Sequence, residues 1–226
     1  MTDTSQLSLP LLQAAQAQKH VTVNEALARL DGLVLLSLQS QSLTTPPLVV
    51  TDGLAYGVPL GAVNAWSGQD GRLAVGRNGG WDFLTPRRGW RALMLDEGMQ
   101  AFHDGATWRS GMVTLTPKNA GLAIKVAQID HVIGAGAQST TAAIIPPNAV
   151  VVGATARVVS AITGTLTSWQ LGNPGAVGRY GTGLGLGVNA FARGLLGQPT
   201  TSYSATAMQL DATGGAFTGG TVRIAI

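Results

Sequence analysis

From residue 128 to the C-terminus the chain is cut into short apolar runs by turn-forming clusters. That pattern constrains the fold more tightly than any other feature. Ile144-Ile145, Val150-Val151-Val152 and Val158-Val159 are β-branched runs, and Val222, Ile224 and Ile226 alternate at strand period. Between them stand Pro146-Pro147-Asn148, Thr163-Gly164-Thr165 and Gly214-Gly215. Short strands repeated about every 8–12 residues, with no sustained helical period, predict a sandwich or jelly roll. Residues 128–226 are therefore expected to form a C-terminal β-sandwich domain, in a chain that is mainly β.

The N-terminal stretch differs. Thr22 and Glu25 stand at capping-box spacing, which would satisfy two amides at a helix start. Val23, Ala26, Leu27 and Leu30 follow the i, i+3, i+4, i+7 pattern of one buried face. Gly32 is the expected stop. Residues 11–19, rich in Ala and Gln, read as a further short helix or an extended arm. Residues 33–43 are open to a strand or a continuation of the helix, and the strand is preferred because Val34, Leu36 and Leu38 recur at every second position. An arm and helix over 1–45 would serve docking and oligomerisation.

Residues 46–112 carry a weak internal repeat. Ala74-Val-Gly-Arg-Asn-Gly-Gly-Trp81 and Ala101-Phe-His-Asp-Gly-Ala-Thr-Trp108 share a run, a turn and a closing Trp. Asn78-Gly79 and Asp104-Gly105 are favoured type I′ pairs, since both central positions need positive φ. Two hairpins packed around a common small core are expected, with Trp66 and Trp90 contributing. Residues 113–127 read as a linker turning at Pro117 and Lys118-Asn119.

Charged residues are 11% of the 226, against roughly 25% in an ordinary soluble domain. So little charge cannot clothe a free surface, which predicts burial against other subunits as a homo-oligomer. Split at Met112, the first part holds eight Lys/Arg against nine Asp/Glu, and the remainder six against two. The bias is weak and no basic stripe is present, so nucleic acid is not an expected partner. There are no cysteines, which excludes disulfides and thiolate metal sites. The first ten residues lack a signal-peptide pattern, and residues 33–36 fall far short of the ~20 a membrane span needs. Synthesis in the cytoplasm, without membrane insertion, is the expectation.

Chemistry is sparse. His20, His103 and His131 are scattered without ligand spacing, so no metal or cofactor is expected. Asp96-Glu97 is the one adjacent carboxylate pair, and it reads as a solvated turn before Gly98. Gly181-Thr-Gly-Leu-Gly-Leu-Gly187 fits neither phosphate-loop pattern and suits a close-packed strand or loop. No nucleophile elbow occurs. No catalytic residue is assigned, and the chain is read as a non-enzyme. Carbohydrate contact has two candidate groups. One is Trp169 with Arg179 and Tyr180, in a polar stretch; the other is Arg87 and Arg88 around Trp90, with Arg91 close by. Each also has a plain structural reading, as a buried Trp or as arginines covering one.

Several segments together resemble a poorly characterised family of alphaproteobacterial prophages and gene-transfer-agent clusters. They are Leu9-Pro-Leu-Leu-Gln-Ala-Ala-Gln-Ala-Gln-Lys-His-Val-Thr-Val-Asn-Glu-Ala-Leu-Ala-Arg-Leu-Asp31, Ala65-Trp-Ser-Gly-Gln-Asp-Gly71, Trp81-Asp-Phe-Leu-Thr-Pro-Arg-Arg-Gly-Trp90 and the segment from Gly214 to Ile226. The resemblance implies a virion protein, a head spike or a tail fibre or base protein, a role that a homo-oligomer built as a trimer or pentamer would suit. Its partners would be capsid, tail or fibre proteins, and it would contact host surface polysaccharide. It transfers no catalytic residues. Relatives continue past this final strand, which implies that the last strand is short or completed by a neighbour. Alternatives are a purely structural base or cement protein, and, less favoured, a polysaccharide depolymerase.

Overall fold

The computed structural model describes residues 3–12 and 19–226. The chain divides into two units, Met1–Lys125 and Val126–Ile226. Residues 13–18 of the stretch read above as a helix or arm lie outside the described residues.

The first unit opens with helix α1 (Lys19–Leu33), followed by β1 (Ser37–Leu38), β2 (Ala55–Gly57), β3 (Leu73–Arg77), β4 (Gly80–Leu84), β5 (Arg91–Met94), β6 (Met99–His103) and β7 (Trp108–Ser110). These strands form one seven-stranded sheet in the order β4-β3-β2-β1-β5-β6-β7. β1 runs parallel to both of its neighbours, and the remaining pairs are antiparallel. Thr22 lies inside the helix, not at its cap. Gly32 is also helical: a Cβ there would stand 3.2 Å from Val75 Cγ1, so glycine lets the helix approach the sheet. The left-handed residue after the helix is Leu35, at φ 54°. Strand structure in 33–43 is confined to Ser37–Leu38; Leu38 and the preceding Leu36 are buried, while Val34 is exposed.

The two hairpins form, but their Trp residues do not share one core. Side chains alternate across a strand, so Leu73 and Val75 enter one cluster while Ala74 enters another. Trp108 and Trp90 pack in the first; Trp66 and Trp81 pack with Tyr56 in the second, their rings 5.3–5.6 Å apart. Asn78 and Gly79 both take positive φ, as a type I′ turn requires. The second turn is longer. Asp104 turns its own carboxylate onto the Ala106 and Thr107 amides, both at 2.8 Å, and of the pair only Gly105 has positive φ. Residues 113–127, read as a linker, include a hairpin-like loop within the first unit: Met112 bridges Ala123, and the Thr116 amide donates to the Ala120 carbonyl at 2.7 Å.

The second unit holds β8 (Gln128–Val132), β9 (Gln138–Ile145), β10 (Ala149–Gly164), β11 (Ser168–Asn173), β12 (Ala176–Leu184), β13 (Phe191–Ser202), β14 (Thr206–Thr213) and β15 (Phe217–Ala225). Their pairing is nested: β8 with β15, β9 with β14, β10 with β13, and β11 with β12. Cross-pairs β10–β15 and β11–β14 complete two four-stranded antiparallel sheets, β13-β10-β15-β8 and β12-β11-β14-β9. This is a long hairpin wrapped on itself, the jelly-roll arrangement of a β-sandwich. The sandwich reading of the sequence holds. The valine runs at 150–152 and 158–159 belong to one 16-residue strand, bulged between Val151 and Gly153, not to two. The last strand is neither short nor open to a neighbour: β15 has nine residues and lies between β10 and β8. Val158, Trp169, Leu171, Met208, Leu210, Phe217, Val222 and Ile224 fill the core between the sheets.

Candidate functional site

The most built polar arrangement in the first unit joins the N-terminal arm to α1. Asp31 is 5% exposed. Its Oδ1 accepts the Thr4 hydroxyl and the Leu7 amide, each at 2.6 Å, and its Oδ2 accepts the Gln6 amide at 2.9 Å. Thr4 in turn closes the arm on itself, accepting the Leu9 amide on Oγ1 and donating its own amide to the Leu9 carbonyl, both at 2.9 Å. One turn pair earlier on the helix, Asn24 bonds both the amide and the carbonyl of Leu12. A cleft of about 150 Å³ lies beside this clasp, lined among others by Asn24, Asp31, Asp52, Arg77 and Asp82.

The clasp determines which face of α1 points inward. Asn24, Ala28, Asp31 and Gly32 turn towards the arm and the cleft. The stripe expected to be buried is turned out instead: Val23 is 40% exposed, Leu30 51%, and Ala26 is also exposed. The apolar period is present, but its partner is not within the described residues of the chain. A buried carboxylate needs several donors, and the arm supplies them only when Asp31 faces it.

The carbohydrate candidates are divided between the two units. Trp169 has no exposed area; its ring sits in the sandwich core and its Nε1 donates to the Gly185 carbonyl at 2.8 Å, leaving no face for a sugar. Tyr180 is 3% exposed, and burial raises its phenol above the ordinary value while the adjacent Arg179 pulls it back. Arg179 is exposed. In the first unit Arg88 is committed to structure, donating to the Asp104 carbonyl at 2.7 Å, the Thr116 carbonyl at 2.6 Å and Asn119 Oδ1 at 2.5 Å. It ties the 116–119 turn to the second hairpin. Arg87 is exposed, and Trp90 is half-buried against the sheet. Of the two readings open for Trp169, its place in the core fits the buried one, and the loop-tying role of Arg88 depends on neighbours distant in sequence.

Asp104 is the strongest electrostatic feature. Burial pushes its carboxyl up, but the Thr107 and Ala106 amides and the Arg109 guanidinium outweigh that and hold it well below the ordinary carboxylate range. Its Oδ2 accepts Arg109 Nε at 2.7 Å. The neighbouring His103 is buried and its imidazole is lowered by burial, with Asp104 opposing. Elsewhere, Ser139 Oγ lies 2.8 Å from His131 Nε2, a juxtaposition with no sequence signal. Ser139 is only 6% exposed, and its Oγ already accepts the Gly134 amide at 3.0 Å. The pair serves as a loop tie. Glu97 accepts the Ser110 hydroxyl at 3.0 Å and Asp96 is exposed on the same turn, so these carboxylates flank no cleft. Among the described residues no group of three or more His, Asp or Glu side chains could hold a metal, and no helix is long and apolar enough to cross a membrane.

No curated protein matches the chain. A chain of the cyanophage Pam1 capsid asymmetric unit is similar at 23% identity and a TM-score of 0.33, over 50% of this chain and 94% of its own length. Residues 23–109, from α1 to the start of β7, match the family DUF2793, whose description is a protein of unknown function.

Proposed function

We propose that the protein is a non-enzymatic structural component of a phage-like particle, assembling with copies of itself through its first unit and contributing to adsorption to host surface polysaccharide through its second. The observation that carries the reading is the orientation of α1. A helix that spends its inward face on Asp31 and Asn24 and leaves Val23, Ala26 and Leu30 in solvent has an apolar stripe suited to a second helix of the same kind. Exposed Val34 and Leu35 extend that stripe past the helix end. The scarcity of charge argues in the same direction. The jelly roll adds support by analogy alone, as an architecture shared by capsid and lectin domains. So does the resemblance of the N-terminal segment to prophage and gene-transfer-agent proteins.

Two measurements test this. Light scattering on the purified chain should give an oligomer, and Val23→Ser/Leu30→Gln should give a folded monomer. Mass spectrometry of gradient-purified particles from a producing strain should detect the protein in stoichiometric amount. A wild-type monomer at high concentration, or particles lacking the protein, would each defeat the proposal.

A further inference from the structure

We infer that the outer face of the β13-β10-β15-β8 sheet is a binding surface for an acidic polysaccharide, with Arg157, Arg193 and Arg223 as its anion contacts and Phe191 as its apolar platform. This deepens the adsorption role proposed above and rests on it, while placing the contact away from Trp169.

Register builds the surface. Phe191, Arg157, Arg223 and Asp130 are Cα partners in one row across four strands, and Arg193, Thr155, Ala225 and Gln128 form the next row. Side chains two apart on a strand share a face, so the three guanidinium groups gather in one place. They line a shallow basin of about 310 Å³ together with Phe191 and Gln128. Arg157 stands directly opposite Arg223, a like-charge pairing that disfavours a sheet unless something compensates. Asp130 supplies one compensation, bidentate to Arg223 at 2.7 Å through both nitrogens. The Arg157 and Arg193 side chains make no hydrogen bond or salt bridge among the described residues, although Arg157 also helps Arg223 to hold the Asp130 carboxyl below its ordinary value. Arg193 lies 5.2 Å from the centre of the Phe191 ring, which is itself 60% exposed.

The missing negative charge has no source in a second copy of this unit. Val126–Ile226 contains two acidic residues: Asp130, already paired, and Asp211, 7% exposed. An external polyanion would supply that charge. Paired guanidinium forks suit carboxylate oxygens, an exposed ring suits the apolar face of a sugar, and an open, nearly flat sheet suits an extended polymer better than an enclosed small molecule. Three arginines are few for duplex nucleic acid, which rewards a longer basic stripe.

The test uses the full-length oligomer and immobilised polygalacturonate, with dextran as the neutral polymer and duplex DNA as the competing polyanion. Wild type should bind polygalacturonate with a salt-dependent affinity and ignore dextran. Arg157→Gln/Arg193→Gln, at exposed positions, should keep its melting temperature and lose about tenfold or more in affinity. Asp130→Asn frees Arg223 and should tighten binding several-fold. Equal binding by wild type and the double variant, or tighter binding to duplex DNA than to polygalacturonate, would overturn the inference. Failure here, with the protein still found in particles, removes the glycan site and leaves the particle role; absence from particles with binding intact does the reverse.

Discussion

The Thr4 hydroxyl donates a 2.6 Å hydrogen bond to Asp31 Oδ1 across 27 residues of sequence. That contact fixes the arm and, through it, the rotation of α1. Asp31→Ala removes three hydrogen bonds from a buried site, at a cost of about 1–3 kcal/mol. Amide exchange at Gln6, Leu7 and Leu9 should accelerate strongly, while the β10 and β15 amides of the second unit stay protected. Unchanged exchange in the arm would show that the clasp is incidental.

Acid should weaken the first unit through Asp104. Its folded carboxyl lies below the ordinary value, so its contribution is complete above that value and is lost as pH falls through the range towards the folded one. Wild-type melting temperature should therefore drop below about pH 4. Asp104→Asn, which removes the negative charge facing Arg109, should be about 1–3 kcal/mol less stable at pH 7, and the gap to wild type should close in acid. A gap independent of pH would refute the assignment.

Trp169→Ala empties the middle of the sandwich. Truncating a fully buried Trp costs about 3–5 kcal/mol, and here it also leaves the Gly185 carbonyl without its indole donor. Urea denaturation of the second unit should show that loss. Trp169→Phe, which keeps most of the volume, should recover much of it, and a surface Trp would show neither effect.

Gly194 is a position of close approach between the sheets. A Cβ there would meet the Tyr180 carbonyl oxygen at 2.4 Å and Tyr180 Cα and Cβ at 2.5 Å each, and backbone cannot swing aside as a side chain would. Gly194→Ala should cost about 1–3 kcal/mol, as overpacking does. Gly197→Ala, on the same strand with open space around it, should be nearly neutral. Equal melting temperatures for the two variants would count against the packing described.

Local chemistry made much of the fold legible. Asn78-Gly79 takes positive φ at both positions, as its residue types favour, while Asp104-Gly105 does so only at the glycine because Asp104 turns its carboxylate onto the following amides. The valine runs and the alternation at Val222, Ile224 and Ile226 mark strands from the local pattern. The period of α1 was likewise written in Val23, Ala26, Leu27 and Leu30. What the sequence could not supply was the partner of each face. Asp31 turned the helix over because a buried carboxylate demands donors that only the distant arm provides. Trp169 went inward because its strand pairs β12 and β14, and Arg157, Arg193 and Arg223 met because strand register, a long-range property, aligned residues up to 66 positions apart. Periodicity is set between near neighbours in the chain; which side is solvent, and which charges share a surface, is set by pairing between strands far apart in it.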